Sequence, residues 1–445
     1  MKKALLLFII PFICLSAFCQ DQSPMLLNDV VVQIEATDAV NDMYNFKFEK
    51  AELYFTKLQN QYPEHPMPYF LMALSNWWKM MPTIENEDFT NVYEKEFISY
   101  LDQSIDKGEK LFKVNDDNLE AAFFLCAAHG FKGRFYADNK NYVKAAFEGK
   151  SALHYLTYTK GKGNLSSEFL FGESLFNYYA EWIKDEYPLL RPLVGLFPKG
   201  NKIEGIAQLK ECAYNAFYTR IEAQYFLMRI YNVEESKPME AYPYAKYLAE
   251  NFPDNPYFQR IYASLCWQLR KHAECEKVSY DINYKVNIGM TGYEEHTGRL
   301  ASFFLGRILY DKGDYAKSKF YLLKASAFAE TANLTKMYYS LSSYFYLGLI
   351  ERKANNNSEA EAYFLKVIKL ADDKQESSIT SIYADAAYQL GDLYEQLKLY
   401  PRAESYYKHA IIRAEKIESE RDFTDKKRIE NNSKAGLERL KLIKK

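Results

Sequence analysis

A spacing of small and large residues repeats near the C-terminal end and constrains the fold more than any other feature of the chain. A glycine is followed by a small residue twelve positions later, a large residue at sixteen and a small aliphatic residue at nineteen. The three sets are Gly306 with Ser318, Leu322 and Ala325, Gly348 with Ala360, Phe364 and Val367, and Gly391 with Ala403, Tyr407 and Ala410. Small residues on facing helices let the backbones approach to the lower end of the usual spacing of about 8–10 Å. The pattern therefore predicts pairs of closely packed helices.

Glycine and proline are scarce, which favours helices along the whole chain. The 445 residues include only 18 glycines and 14 prolines, fewer than the turns of a sheet protein of this length need. Polar, turn-forming residues separate the two halves of each repeated set, as in "DKGDY" around Gly313. We therefore assign Gly306 to helix packing and Gly313 to a turn, and we expect an all-α fold.

Further upstream the same pattern ends in a proline. The two sets are Ala51, Phe55, Leu58 and Pro63, and Ala241, Ala245 and Pro253. Together these positions resemble the tetratricopeptide repeat. The resemblance implies an α-solenoid of stacked antiparallel helix pairs, a right-handed superhelix, with about eight or nine pairs over residues 30–417. The C-terminal glycines lie 42 and 43 residues apart, against about 34 in the usual repeat, so those helices are expected to be longer.

The middle of the chain carries a second resemblance. Stretches such as "AAFFLCAAHGFKGRF" and "FPKGNKIEGIAQLKECA" are similar to exported bacterial tetratricopeptide-like proteins of the Bacteroidota type. This similarity covers about residues 30–285. It implies a fold and no particular activity.

The N-terminal residues are typical of a secretory signal peptide. Two lysines precede an apolar run that is too short to span a bilayer as a stable helix. Small residues at Ala17 and Cys19 predict cleavage after Cys19, so that residues 1–19 are removed and residues 20–29 form a linker. The alternative is a lipoprotein acylated at Cys19, which the bulky neighbour Phe18 disfavours.

The signal peptide predicts export. No later stretch is apolar for long enough to cross a membrane. We expect the protein in the periplasm, and association with the outer membrane is left open. A formal charge of −2 does not favour nucleic acid as a partner.

Two segments depart from the repeat. Residues 184–204 insert an apolar, proline-rich loop, which either covers an exposed helix edge or serves as a docking loop through Leu193 and Phe197. Residues 418–445 are rich in lysine and carry apolar residues at helical spacing, so they are predicted to form a basic capping helix.

The sequence contains no arrangement typical of catalysis. The six histidines are dispersed, no glycine-rich phosphate loop follows a strand, and no Gly-x-Ser-x-Gly motif is present. We therefore expect no enzyme activity, no metal and no cofactor. Four cysteines remain after signal removal, and we expect buried free thiols. A disulfide between Cys266 and Cys275 is the alternative.

Recognition is the remaining function, and in a solenoid the first helix of each pair lines the concave face. Helical phase places arginine and aromatic residues there in the C-terminal repeats, a combination that suits a protein or peptide partner. The candidate partner-binding residues are Phe303, Arg307, Tyr310, Phe345, Arg352, Lys353, Tyr388 and Asp392, with Leu193 and Phe197 from the inserted loop. The predicted function is a non-catalytic exported scaffold that binds a protein or peptide in the cell envelope.

The alternative function is a glycan-capture component associated with an outer-membrane nutrient uptake system. Such a component needs exposed aromatic faces on which sugars stack. The chain has only four tryptophans, Trp77, Trp78, Trp182 and Trp267. Trp77 and Trp78 lie in a helix that is expected to be packed, so the sequence favours the protein-binding scaffold.

Cleavage after Cys19 can be measured directly. We expect the protein recovered from the cell envelope to lack residues 1–19, because the apolar leader and the small residues before Gln20 meet the requirements of signal peptidase. Intact-mass spectrometry checks this expectation. A diacylglycerol on a retained Cys19 would show the lipoprotein instead, and a chain that keeps its leader would contradict both alternatives.

Overall fold

Helices account for almost all of the chain that the structure describes. The computed structural model describes residues 26–83, 92–191, 195, 197–371, 377–417 and 423–443. The predicted signal peptide and Leu193 of the inserted loop lie outside these residues. Within the described ranges there is no β-strand, which confirms the all-α prediction.

Eighteen helices form nine consecutive antiparallel pairs in the described chain. The first helices of the pairs are α1 (Val30–Tyr44), α3 (Pro66–Met80), α5 (Leu119–Asp138), α7 (Glu168–Glu186), α9 (Arg220–Arg229), α11 (Pro256–Gln268), α13 (Glu295–Asp311), α15 (Tyr338–Lys353) and α17 (Ser377–Gln396). The second helices are α2 (Phe48–Gln61), α4 (Glu94–Val114), α6 (Tyr142–Thr159), α8 (Lys202–Asn215), α10 (Pro238–Asn251), α12 (His272–Asn287), α14 (Tyr315–Thr331), α16 (Asn357–Ala371) and α18 (Tyr400–Glu415). A last helix, α19 (Phe423–Ile443), follows the ninth pair.

The pairs stack in chain order. Each helix packs against the helices before and after it, and successive first helices also contact one another. The result is an α-solenoid of stacked antiparallel pairs, as the sequence predicts. Short irregular elements lie at several helix ends, including 3-10 turns at Met81–Thr83 and Pro188–Leu190 and a π turn at Ile230–Glu234.

The signature glycines are the points of closest approach within the C-terminal pairs. A Cβ atom built on Gly306 would lie 2.6 Å from the Leu322 side chain, and one on Gly348 would lie 2.6 Å from Phe364. At Gly391 the same atom would lie 2.6 Å from Tyr407. Each pair of residues is separated by sixteen positions, so the predicted packing role of these glycines is confirmed.

The turn glycine behaves differently. Gly313 has a φ of 81° and no atom within 4 Å of its Cβ position among the described residues. This backbone conformation is readily open only to glycine. The next residue, Asp314, caps α14 by accepting a hydrogen bond from the backbone N–H of Lys317 at 3.2 Å. The prediction of a turn at Gly313 is therefore confirmed.

The two segments that depart from the repeat pack against neighbouring helices where the structure describes them. Gly200 of the insertion lies against α7, because its Cβ position is in contact with the carbonyl oxygen of Asn177. Helix α19 buries Ile429 and Leu440. Its Arg428 and Arg439 form ion pairs at 2.7 Å with acidic residues of α17. Helix α19 thus covers the last pair through apolar contacts and charge pairing.

Membrane crossing is not supported by any helix in the described part of the chain, since none of them is both long enough and apolar enough.

Replacing Gly348 by alanine tests the close approach. We expect the free energy of unfolding to fall by about 1–3 kcal/mol, because the added methyl group overpacks the contact with Phe364. Gly149→Ala is the matched control, because the Cβ position of this α6 glycine has no atom within 4 Å in the described structure. The control is expected to gain up to about 1 kcal/mol from helix propensity. Denaturant melts measure both changes, and equal effects would contradict the packing role.

Candidate functional site

The first half of the superhelix closes on its own concave side. The hydroxyl of Tyr44, at the end of α1, donates a hydrogen bond of 2.8 Å to Oε1 of Glu222 in α9. The indole Nε1 of Trp78, at the end of α3, donates a second bond of 2.8 Å to the same oxygen. Tyr44 and Glu222 are 178 residues apart. We call this contact between pairs 1–2 and pairs 5–6 the closure.

Backbone groups add to the closure. The side-chain amide of Asn255, at the start of α11, donates 2.8 Å to the carbonyl oxygen of Tyr44. The backbone N–H of Asp254 donates 2.9 Å to Oδ1 of Asn45. Because these hydrogen bonds join groups on both sides of the closure, the contact is specific as well as apolar.

Aromatic rings fill the space between the facing helices. The Trp78 ring lies 5.5 Å from Tyr225 and 5.0 Å from Phe258. Arg134 of α5 lies over the Trp77 ring at 4.8 Å and donates a hydrogen bond of 2.7 Å to the Tyr225 hydroxyl. The concave side of the first six pairs is thus occupied by the protein itself.

Glu222 is the titratable group at the centre of the closure. Burial raises the pKa of its carboxyl above the ordinary value, although the hydrogen bonds from Trp78 and Tyr44 and the charge of Arg134 act in the opposite direction. Its second oxygen, Oε2, has no hydrogen-bond partner among the described residues. The charged form is therefore only partly compensated in the folded protein.

Two of the predicted binding residues belong to the core. Phe303 is 2% exposed and Phe345 is 6% exposed. Phe303 packs 5.1 Å from Tyr339 of the next first helix, and Phe345 packs 5.9 Å from Phe364 of its own pair. We correct the sequence-based assignment of these two residues, because their rings fill the seams between helices and leave almost no surface for a partner.

Arg352 and Asp392 pair with each other. The guanidinium of Arg352 in α15 donates 2.7 Å to Oδ2 of Asp392 in α17, and it also donates 3.1 Å to the side-chain oxygen of Gln389. Tyr388 is half-buried one turn away. These charges join successive first helices, so they are engaged within the protein. Phe197, the predicted residue of the inserted loop that the structure describes, is half-buried.

The other three predicted residues, Arg307, Tyr310 and Lys353, lie in one cluster of tyrosines. The cluster includes Tyr346, which the sequence analysis did not single out. Arg307 lies 3.7 Å from the centre of the Tyr346 ring, and Tyr310 packs edge-on against the same ring at 5.0 Å. Lys353 lies over the Tyr315 ring at 5.2 Å. Tyr315 in turn packs 5.4 Å from Tyr310. We call Arg307, Tyr310, Tyr315, Tyr346 and Lys353 the basic aromatic patch.

The basic aromatic patch carries excess positive charge. Asp311 accepts a 3.2 Å ion pair from Arg307, so one carboxylate faces two cations. Burial lowers the pKa of the Arg307 guanidinium, but arginine stays charged at neutral pH. Its Nε atom has no hydrogen-bond partner in the described structure. The patch can therefore accept an anionic or hydrogen-bond-accepting group next to an aromatic one.

Comparison with known families identifies the helices that carry this patch. Residues 301–330 and residues 347–416 match family models described as tetratricopeptide repeat. Both segments are similar to tetratricopeptide repeats. The first segment contains Arg307, Tyr310 and Tyr315, the second contains Lys353, and Tyr346 directly precedes the second, so the basic aromatic patch draws on both segments. A comparison with curated protein sequences finds no match.

Three solved structures are similar to this chain over most of its length. Yeast Tom70 is 12% identical, with 92% of this chain and 89% of that chain covered at a TM-score of 0.36. The human IFIT1 dimer with m7Gppp-AAAA is 12% identical, with coverage of 85% and 94% and a TM-score of 0.34. A Rap protein complexed with competence and sporulation factor is 15% identical, with coverage of 92% and 99% and a TM-score of 0.31. Similarity at this level does not indicate which ligand this chain binds.

The two paired tryptophans and the pair of neighbouring cysteines lie outside the two matched segments. Trp77 and Trp78 are completely buried, so they offer no face to a sugar. Cys266 and Cys275 are free buried thiols, and burial raises the pKa of each to about 12. Across the described chain, no group of three or more His, Cys, Asp and Glu side chains is placed to hold a metal ion.

Glu222→Gln tests the closure through its pH dependence. A raised pKa in the folded state means that folding favours the protonated carboxyl, so this stability is present at low pH and is lost as pH rises through the raised value. We expect the melting temperature of the wild type to fall relative to the Gln variant between pH 5 and pH 8. Thermal melts at several pH values measure the difference. A constant difference would contradict a partly compensated Glu222.

Proposed function

We propose that this chain is a non-catalytic exported scaffold whose C-terminal tetratricopeptide repeats bind a protein or peptide partner through the basic aromatic patch. The observation that carries the proposal is the convergence of Arg307 and Lys353 on a cluster of three tyrosines. Arginine and tyrosine are the residue types that dominate binding energy at protein interfaces. The tetratricopeptide repeats themselves are generally protein-interaction modules, which supports the same conclusion.

The shape of the superhelix favours the C-terminal pairs as the binding region. The closure fills the concave side of the first six pairs with side chains of the protein itself. The patch lies on α13, α14 and α15, which follow the pairs whose hydrogen bonds form the closure. A partner can thus reach Lys353, which is exposed, without displacing core residues.

The chemistry of the patch indicates the kind of partner. Two cations and one carboxylate leave a net positive charge, so a partner with a carboxylate or another anionic group is favoured. The tyrosine faces add apolar contact area next to these cations. An extended peptide that carries an acidic residue beside an apolar one has this combination.

The cellular location is part of the proposal. It rests on the predicted leader at residues 1–19, which favours the periplasm. Shortly after the predicted linker begins, the chain is already fixed to the solenoid, because the backbone N–H groups of Leu26 and Leu27 donate to the Glu120 carboxylate at 3.2 and 2.6 Å. This attachment is compatible with removal of the leader, since the solenoid begins several residues after the predicted cleavage point.

Lys353→Glu is the most direct test of the patch. We expect affinity for the partner to fall about tenfold or more, which corresponds to at least about 1.4 kcal/mol, because the reversed charge repels an anionic group. The melting temperature should stay the same, since the lysine is exposed and lies only against the Tyr315 ring at 5.2 Å. Crosslinking and affinity purification from native envelopes identify the partner, and titration with the purified partner measures the change.

Lys277→Glu is the matched control. Lys277 is an exposed lysine on α12, outside the patch, so the variant has the same change of net charge and should keep its affinity. Arg307→Glu is less suitable as a test, because loss of the Tyr346 and Asp311 contacts is expected to lower the melting temperature as well. Equal binding by the wild type and Lys353→Glu would refute a role for the patch.

A further inference from the structure

Helix α6 is less buried than the other second helices. Only Leu156 and Thr159 are buried among its 18 residues, and both lie near its C-terminal end. Val143 is 68% exposed and Phe147 is 69% exposed. Exposed large apolar side chains that lie together on one helix are often a contact surface.

Positive charge surrounds these two apolar side chains. At 100° per residue, Val143, Phe147 and Lys150 fall on one side of α6, with Lys144 at its edge. The single acidic residue of the helix, Glu148, lies on the side facing α5, where its carboxylate is 2.6 Å from Nδ1 of His129. We call Val143 and Phe147 the knob. It projects from the outward face of α6, and Lys144 and Lys150 form its basic rim.

A depression of about 740 Å³ lies along α4, the second helix of the preceding pair. Ile98 of α4 and Phe135 of α5 provide its apolar lining. Glu94, Asp102 and Asp106 also line it, against the single lysine Lys95. The depression is therefore apolar inside and acidic at its edge, the opposite of the knob on α6.

The acidic groups of the depression remain accessible although two of them are paired within the chain. Asp102 accepts an ion pair from Lys132 at 2.8 Å, and Asp106 accepts one from Lys110 at 2.7 Å. Both carboxylates are more than half exposed. An exposed pair of this kind is worth little on its own, so the carboxylates can also face cations from another molecule.

The knob and the depression lie at similar heights along neighbouring helices. Phe112 of α4 packs 5.5 Å from Tyr155 and 4.8 Å from Tyr158 of α6. Counting back along both helices from this contact at about 1.5 Å per residue places Asp106 near the level of Lys150. A two-fold axis parallel to α4 and α6 would therefore set each knob opposite the depression of a second molecule.

We propose that a second copy of this chain docks on this surface, so that the protein forms a symmetric dimer through α4 and α6. Phe147 of each copy enters the depression of the other at the level of Asp102, about one helical turn along α4 from Ile98. Lys144 and Lys150 face Asp102 and Asp106 across the interface. The same patch serves both copies, which is the requirement for a closed dimer.

The area available suits a dimer of modest strength. Helices of 21 and 18 residues side by side cover roughly 30 Å by 20 Å, which is roughly 600 Å² for each copy. The total of roughly 1,200 Å² is at the lower limit for specific interfaces. Because the rim is charged, the dimer is expected to weaken as salt is raised.

Phe147→Asp tests the apolar contact, with Phe320→Asp as the matched control. Phe320 is 61% exposed on α14 and, like Phe147, lies fourteen residues after the first-helix glycine of its pair. Sedimentation equilibrium of the purified protein measures the dissociation constant in low salt. We expect Phe147→Asp to weaken the dimer at least tenfold, and Phe320→Asp to leave it unchanged. Circular dichroism confirms that each variant is folded.

A charge exchange tests the orientation. The pair Lys144→Glu and Lys150→Glu gives two acidic surfaces, and the pair Asp102→Lys and Asp106→Lys gives two basic ones. Each double variant alone is expected to be a monomer, and an equal mixture is expected to form a mixed dimer, since both contacts are then complementary. A monomeric wild type at about 100 μM, a Phe147→Asp variant that still dimerises, or a mixture that stays monomeric would each overturn the proposal.

Discussion

The close approach of two helices at a glycine is the contact on which the rest of the C-terminal structure depends. At Gly306, Gly348 and Gly391 the missing side chain leaves room for a large residue sixteen positions later, on the second helix of the pair. This contact fixes the distance and the rotation between the two helices. It therefore also fixes which residues of the first helix point to the next pair, and the basic aromatic patch follows from that geometry.

Local spacing is enough to predict the pairs, because each glycine and its partner lie on adjacent helices joined by a short turn. The surface is harder to predict. Helical phase gives the direction of a side chain around its own helix, but it does not show where the next helix lies. Phe303 and Phe345 therefore lie in the seams between helices and not on the concave face. Tyr346, which the sequence pattern did not single out, is the centre of the basic aromatic patch.

The closure has no local sequence signal. Tyr44 and Glu222 are 178 residues apart, and neither belongs to a repeated set. A buried glutamate near the start of a helix resembles an ordinary solvated one until its partners are known. The packing of Trp77 and Trp78 is predictable from their apolar helix, but the identity of the helices that cover them is not.

Charged residues on first helices have two roles in this fold. Arg352 pairs with Asp392, and Glu395 of α17 pairs with Arg439 of α19, so one role is to connect successive turns of the solenoid. Arg307 and Lys353 lie instead on tyrosine faces, where they keep capacity for another group. The distinction depends on whether the next first helix supplies a residue of opposite charge at the matching height.

The closure also changes how this solenoid should unfold. A linear array of repeats has only nearest-neighbour contacts, so its ends fray and unfolding spreads one repeat at a time. Here pairs 1–2 are held by pairs 5–6, so the intervening repeats belong to a loop that opens only when that contact breaks. The contact extends to the start of the seventh pair, since Met81–Thr83 also packs against α13. The first seven pairs thus form one cooperative unit, and the stepwise behaviour of an open array is left to the last two pairs with α19.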